Sequence, residues 1–340
     1  MRQPSPHRYL AALIGLLGTL GLAIVLSLGV GAVDLPPDRV LGWMIGLPHN
    51  PLSPTELVIV RDLRLARVLL APLIGAGLAA AGAAFQGMFR NPLADPFVVG
   101  ASGGAALGAT AAITMGFQWS GAGFGPVPLA AFVGALLAVG IVYLVAEAGG
   151  TPPVVALLLA GAAFSTLLSA LVSLLLILSD QPLYEAFAWL LGGLSGRGWP
   201  HLRASGPYML IGIIALCALA RPLDALACGE ETAQSLGLPL SQARGAIIAA
   251  ASLTTAAAVA SGGIIGFVGL IAPHIARLIF GSNHARLIPA SAVLGAFLVL
   301  LADDAARTIL APVELPVGIV TALLGAPFFL YLLKTRRQEL

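Results

Sequence analysis

The residues able to do chemistry in this chain are few and far apart. Five histidines (His7, His49, His201, His274 and His284) and two cysteines (Cys217 and Cys228) are scattered through 340 residues. They form no HExxH, no CxxC and no i,i+4 pair of ligands, so their spacing argues against a metal or haem site held by this chain. The only lysine is Lys334, in the tail. A phosphate loop of the GxxxxGK[ST] kind needs a lysine to reach the phosphates, so the chain is not expected to hydrolyse ATP by itself. No Ser/His/Asp arrangement suggests itself either. His274 and Arg277 stand three apart, on one face of an apolar segment. They read either as pathway residues or as residues of the inner half of a helix, with Arg277 reaching toward water. Secondary carriers place a carboxylate or histidine in mid-membrane. Mid-span ionisable residues are nearly missing here, which leaves an ion-coupled secondary transporter as the alternative and not the first choice.

The elements that must position these residues are membrane spans. The composition is 59% hydrophobic and 9% charged, against about 25% charged in a soluble domain. A larger core does not close that gap, because a soluble surface still needs charge. A lipid-facing surface does, because charge is expensive there. The net charge of +2 is uninformative about partners, and no nucleic-acid partner is expected. With about 20 apolar residues per crossing, about ten spans are predicted, at 9–33, 65–89, 97–116, 124–146, 154–178, 202–220, 241–261, 265–281, 287–303 and 316–333. They are rich in Gly and Ala, the residues that let helices approach closely in lipid. The first run is longer than a secretory core of roughly 7–15 residues, and reads as an uncleaved span; the alternative is a signal cleaved near Gly31-Ala32.

An even number of spans puts both termini on one side. With both termini in the cytoplasm, ten Lys and Arg fall inside (Arg2, Arg8, Arg90, Arg221, Arg244, Arg277, Arg286, Lys334, Arg336, Arg337) and seven outside (Arg39, Arg61, Arg64, Arg67, Arg197, Arg203, Arg307), the sense the positive-inside rule favours. The polar stretches 34–64, 179–201 and 221–240 are each shorter than the roughly 40 residues of a minimal independent fold. The prediction is therefore an all-α polytopic protein with one transmembrane domain over 1–340.

Three polar stretches carry local signals. Asn91-Pro92 and Pro96 interrupt the helical pattern and predict a rigid turn between the second and third spans. In 221–240, Glu230-Glu231 suit a helix N-terminus and Gly237 a helix C-cap. Ala233 and Leu236 lie three apart and make one apolar face. Arg64, Arg67 and Arg307 sit at the outer ends of spans, where the charge rule disfavours them. They suit interface ion pairs, although Arg64 and Arg67 also suit headgroup anchoring and Asp303 stands at i,i+4 from Arg307.

Four stretches, in order, identify a family. The first is Leu63-Arg64-Leu65-Ala66-Arg67 with Gly75-Ala76-Gly77 through Gly82 and Gln86. The second is Arg90-Asn91-Pro92-Leu93-Ala94-Asp95-Pro96 leading into Gly100-Ala101-Ser102-Gly103-Gly104. The third is Gly229-Glu230-Glu231-Thr232-Ala233-Gln234-Ser235-Leu236-Gly237-Leu238. The fourth is Gly266-Phe267-Val268-Gly269-Leu270-Ile271-Ala272-Pro273-His274 to Arg277, continued by Leu315-Pro316-Val317-Gly318 and Gly325-Ala326-Pro327-Phe328. Together they resemble the permease family of ABC importers for ferric siderophores, haem and cobalamin, over about residues 10–334. Ala66 stands where the family often has Pro, and Asp303-Asp304 doubles the usual single acid.

The resemblance implies a type II ABC importer-like bundle of ten helices per subunit in the cell inner (cytoplasmic) membrane. It implies a second copy of the chain, two ATPase subunits carrying ATP and Mg, and an extracytoplasmic solute-binding protein, with no cofactor in the chain itself. It implies as cargo an iron chelate (ferric siderophore or haem) or cobalamin, leaning to iron because those members are more numerous. By resemblance, Asn91, Pro92 and Leu93 with Val154 and Val155 form the cytoplasmic gate, the alternative being a plain connecting turn. Also by resemblance, Gly229, Glu230, Glu231, Ala233, Leu236 and Gly237 couple to the ATPase, and Arg64, Arg67 and Arg307 receive acidic residues of the solute-binding protein.

Overall fold

The computed structural model describes residues 5–31, 33, 35–46, 52–117, 125–147, 154–179 and 183–336. Arg2, Asp34, His49, Asp180 and Arg337 lie outside the described residues. Each predicted span contains one helix. In chain order the helices are α1 (Pro6–Gly29), α2 (Pro37–Met44), α3 (Pro54–Val58), α4 (Leu65–Met88), α5 (Ala101–Thr114), α6 (Pro126–Glu147), α7 (Val154–Leu178) and α8 (Leu183–Leu190). They continue with α9 (Trp199–Ala218), α10 (Ala220–Ala227), α11 (Glu230–Ser235), α12 (Leu240–Gly262), α13 (Val268–Phe280), α14 (His284–Thr308) and α15 (Val317–Arg336). A wider π-helical turn, Ile59–Arg64, joins α3 to α4.

Among the described residues, seven helical stretches are long and apolar enough to cross a bilayer, and α5, α13 and α15 supply shorter apolar ones. The polar connections are more ordered than their composition suggests. Between α1 and α4, Ser53 and Glu56 form a reciprocal capping box at the start of α3. Arg39 on α2 then clamps both oxygens of Glu56, each at 2.7 Å.

Burial sorts the helices into centre and rim. Most of α4 and α12 is buried, whereas α1 and α7 are almost wholly exposed within a single chain. The centre is built from Ala and Gly, since no hydrophobic force draws helices together in lipid and close backbone approach must replace it. Where α4 crosses α14, a Cβ added at Gly75 would stand 2.1 Å from the Gly295 carbonyl oxygen. Any larger residue there would push the two helices apart. At the rim, α1 is tied to α14 at both ends, by Tyr9 Oη to the Arg286 carbonyl (3.1 Å) and by Ser27 Oγ to Asp304 (2.5 Å).

The predicted span 265–281 is shorter as a helix. At 13 residues, α13 rises about 20 Å, less than the ~30 Å hydrocarbon core. The extended stretch 263–267 makes up the difference. Two other chain breaks pack against this stretch, with Gly192 and Gly318 both lying close to the Ile264 carbonyl. Gly193 N–H donates to the Gly262 carbonyl (2.8 Å), and Gly318 N–H donates to the Gly192 carbonyl (3.0 Å). Gly263, at φ +69°, lies against the Trp189 carbonyl, an approach open only to glycine. The breaks before α9, α13 and α15 thus meet in one backbone junction.

Candidate functional site

Two groups of residues stand at opposite ends of α4, one beyond Met88 and one around Arg67. At the Met88 end the helix stops because Arg90 adopts a left-handed conformation, φ +50°. Arg90 N–H then reaches the Gly87 carbonyl and Asn91 N–H the Gln86 carbonyl, at 3.2 and 3.1 Å, a Schellman-type ending. The Asn91 side chain accepts from Leu93 N–H at 2.9 Å, which closes the next turn around Pro92. Asp95 repeats the device with Phe97 N–H at 2.8 Å. Burial pushes the Asp95 carboxyl up to about 6, against the pull of that N–H. The interruption read from Asn91-Pro92 and Pro96 is therefore a chain of side-chain-capped turns leading to α5.

Val154 and Val155 open α7, the former half-buried and the latter exposed. Two turns on, Gly161 lies against the Val98 carbonyl, where a Cβ would stand at 2.1 Å. That contact brings the start of α7 beside the end of the turn, so both expected gate segments share one end of the bundle. Leu93 and Val155 both present apolar side chains outward.

The segment 221–240 forms α10 and α11. Gly229 (φ +112°) starts α11 and Gly237 (φ +81°) ends it. Gly237 N–H bonds the Gln234 carbonyl at 2.9 Å and Leu238 N–H the Ala233 carbonyl at 3.0 Å, which is the expected C-cap in Schellman form. Glu230 and Glu231 occupy the first turn of α11. Glu230 is engaged by Arg244 of α12 at 2.5 Å. The expected single apolar face is corrected here. Ala233 is fully buried in its own chain, while Leu236 is 72% exposed. A six-residue helix seated on the bundle must turn one side inward, and Ala233 is on that side; Leu236 alone projects.

A cleft of about 600 Å³ opens between this segment and the turn, bordered by Gln86, Arg90, Asp224, Cys228, Arg277 and His284. His274 and Arg277 part company. Arg277 lies in the last turn of α13, where a cation suits the helix dipole. It donates to Gln86 Oε1 at 3.0 Å, and Gln86 Nε2 donates to the Gly269 carbonyl at 3.0 Å. His274 is buried one turn earlier, edge-on to Phe328. Arg277 thus faces the cleft and holds α4, and does not reach freely toward solvent.

At the other end, Arg64, Arg67 and Arg307 are buried and occupied within the chain, so the expectation that they receive acids of a partner is corrected, and the alternative in which Asp303 takes up Arg307 is what the structure shows. Arg67 contacts Asp303 through Nε and Nη2 (2.9–3.1 Å) and Glu314 through Nη1 (2.8 Å). Arg307 contacts Asp303 at 3.2 Å, one turn away, and also Asp304, Ser27 and the Val30 carbonyl. Arg64 donates to the carbonyls of Leu28, Gly29 and Val33. The physical reason is desolvation. Charges at the edge of an apolar bundle are retained where acids and carbonyls of the same chain neutralise them. The three arginines border a cleft of about 390 Å³ that also contains Arg197. Arg61, with most of its side chain in solvent, is an exposed cation beside it.

The sequence reading missed Asp224, His284 and the pairing of Arg67 with Asp303. Their partners are 60 and 236 residues away, and no local spacing signals them.

A model of the FecCD transport family matches residues 19–335. The cobalamin import system permease of Halobacterium salinarum is 47% identical over 282 residues, covering 83% of this chain and 75% of that protein. The Fe(3+)-citrate import system permease of Bacillus subtilis is 40% identical over 335 residues, covering 98% and 97%. A solved structure described as an inward-facing metal-chelate type ABC transporter superposes with a TM-score of 0.84 at 33% identity, covering 96% of this chain and 99% of that one.

Proposed function

The chain belongs to the FecCD transport family, and from that premise we propose that it is the membrane subunit of a metal-chelate importer, paired with a second copy of itself, two ATPase subunits and an extracytoplasmic solute-binding protein. It is a multi-pass permease of the ABC type, which sets the ion-coupled alternative aside. In the proposed orientation the Met88 end and both termini are cytoplasmic and the Arg67 end faces outward, in the inner membrane. The 47%-identical relative puts cobalamin first among cargoes, and the 40%-identical relative puts ferric citrate second.

One observation carries the mechanical part of this reading. The glycine-capped α11, with its single projecting Leu236, stands at the same end as the Asn91–Leu93 turn and the start of α7. An apolar side chain held out on a short, stiff helix is suited to a partner's pocket. Its neighbours, Leu93 and Val155, supply the apolar contacts of a gate that two copies close together. ATP and Mg belong to the ATPase docked on α10 and α11. At the Arg67 end, acids of the solute-binding protein meet Arg61 at the surface.

The test is purification of the tagged chain from its own cells, followed by uptake in proteoliposomes. A Walker-type ATPase is expected to co-purify, and labelled cobalamin or ferric citrate to accumulate only with ATP and the solute-binding protein. Uptake that follows an ion gradient and ignores ATP would overturn the reading.

A further inference from the structure

The end of α4 meets the α10–α11 segment at two points, the first of which, Asp224 with His284, the sequence does not single out. Asp224, on α10, accepts three hydrogen bonds from the turn that starts α14. They come from His284 N–H (2.8 Å), His284 Nδ1 (2.6 Å) and Asn283 Nδ2 (2.9 Å). An ionised carboxylate only accepts, so Nδ1 carries the proton and the ring is fixed in orientation. His284 Nε2 is buried and has no hydrogen-bond partner among the described residues. It is turned onto Gly87 of α4, where a Cβ would stand 2.2 Å from Nε2, 2.9 Å from Cε1 and 3.1 Å from Cδ2. The second point is Arg90, whose guanidinium lies beside Gly229 at the start of α11.

Resting on the import reading above, we infer that the Asp224–His284 pair, seated on Gly87, is the positioning link that carries movement of α10 and α11 to the Asn91–Pro92–Leu93 turn. A shift of α10 either breaks three hydrogen bonds or takes the first turn of α14 and its imidazole with it. The ring then bears directly on α4 six residues before Leu93, since packed interiors transmit displacement in place of absorbing it. Gly87 is what lets the ring reach the helix backbone: any side chain there would hold it off. The orphan Nε2 fits this use. A histidine kept for a hydrogen bond would satisfy both nitrogens, whereas one nitrogen here is given up to contact. These are positioning residues, because none of them touches cargo or nucleotide.

The experiment measures cargo moved per ATP hydrolysed by the complete transporter in proteoliposomes, for Asp224→Asn and for the double variant Gly87→Ala with His284→Ala. Asp224→Asn keeps the size of the side chain and loses the charge that fixes the ring. The double variant replaces the ring contact with two methyl groups and removes the clash that Gly87→Ala alone would create. The expected result is a complex of normal subunit composition that still hydrolyses ATP near the wild-type rate, with transport per ATP reduced about fivefold or more. A role confined to packing would lower the amount of complex and leave the ratio unchanged. An unchanged ratio in assembled complexes of either variant overturns the link. Should Asp224→Asn not assemble, the double variant decides by the same ratio. Wild-type protein that imports no chelate counts against the import reading itself; wild-type import with unchanged variant ratios counts against this link alone.

Discussion

The two ends of the bundle handle charge in opposite ways. Around Arg67, two arginines and three acids from α4, α14 and the stretch before α15 pair with one another in one network, with Asp303 wholly buried at its centre. Around Arg90, each polar pair has one buried and one partly exposed member: His284 hydrogen-bonded to Asp224, and Arg244 ion-paired with Glu230. Apolar side chains stand outward beside them. An internally paired network cannot shift without leaving a charge unpaired, so it fixes helix ends in place. Pairs with one partly exposed acid are freer to shift together as a unit, because water solvates the outer side of that acid throughout. The difference teaches that the Arg67 end is built as an anchor and the Arg90 end as a moving part.

The largest effect expected from breaking this contrast is at Asp303. Removing one member of a buried network strands the others, at a cost of about 3–5 kcal/mol. Asp303→Ala should therefore lower the melting temperature of the detergent-solubilised protein by several degrees. Asp224→Ala, at the opposite end, should lower it less, and equal losses would erase the distinction between anchor and moving part.

Leu236→Glu should leave stability near wild type, since the side chain already faces solvent. It should weaken ATPase binding by about tenfold, the cost of roughly 1.4 kcal/mol in a lost apolar contact. Titration of the purified ATPase against the permease checks this, and wild-type affinity would show that α11 is not the dock.

A smaller effect is expected at Arg61, the exposed cation of the anchored end. Arg61→Glu should reduce affinity for the solute-binding protein by a few-fold and flatten its salt dependence, with no change in melting temperature. An unchanged salt slope would remove Arg61 from the docking surface.

The smallest effect is at Asp95. Its carboxyl is raised to about 6, so the folded state holds a proton more tightly than the unfolded chain does. Stability is therefore lost as pH rises from the ordinary aspartate value through about 6. Asp95→Asn keeps an acceptor for Phe97 N–H and removes the charge. The fall in melting temperature between pH 4 and pH 7 should shrink by about 1–2 °C, and an undiminished fall would place the titrating group elsewhere.

Spans and turns were legible in the sequence because their causes are local. Twenty apolar residues need a bilayer, Asn91-Pro92 ends a helix, and Gly237 caps one; each signal sits where its effect does. The corrections concern contacts between distant segments. Nothing near Arg67 announces that Asp303 will neutralise it, and nothing near Ala233 distinguishes it from Leu236, because which side of α11 turns inward depends on the bundle it sits upon. The shortening of α13 was hidden for the same reason. Apolar Ile264 and Ile265 read as helix until Gly193 is seen to bond the Gly262 carbonyl and Gly192 and Gly318 to crowd the Ile264 carbonyl.

That glycine junction also bears on how the chain is made. The Gly192 carbonyl, in the break before α9, takes its hydrogen bond from Gly318 N–H, which is synthesised only with α15. Until α15 arrives, that carbonyl is without its donor and the seam beside α13 is open. Chains ending before Val317 would keep the seam open permanently, and quality-control proteases would have a reason to recognise them. Completion of this protein is therefore registered in its interior, by the closing of a joint between its middle and its end.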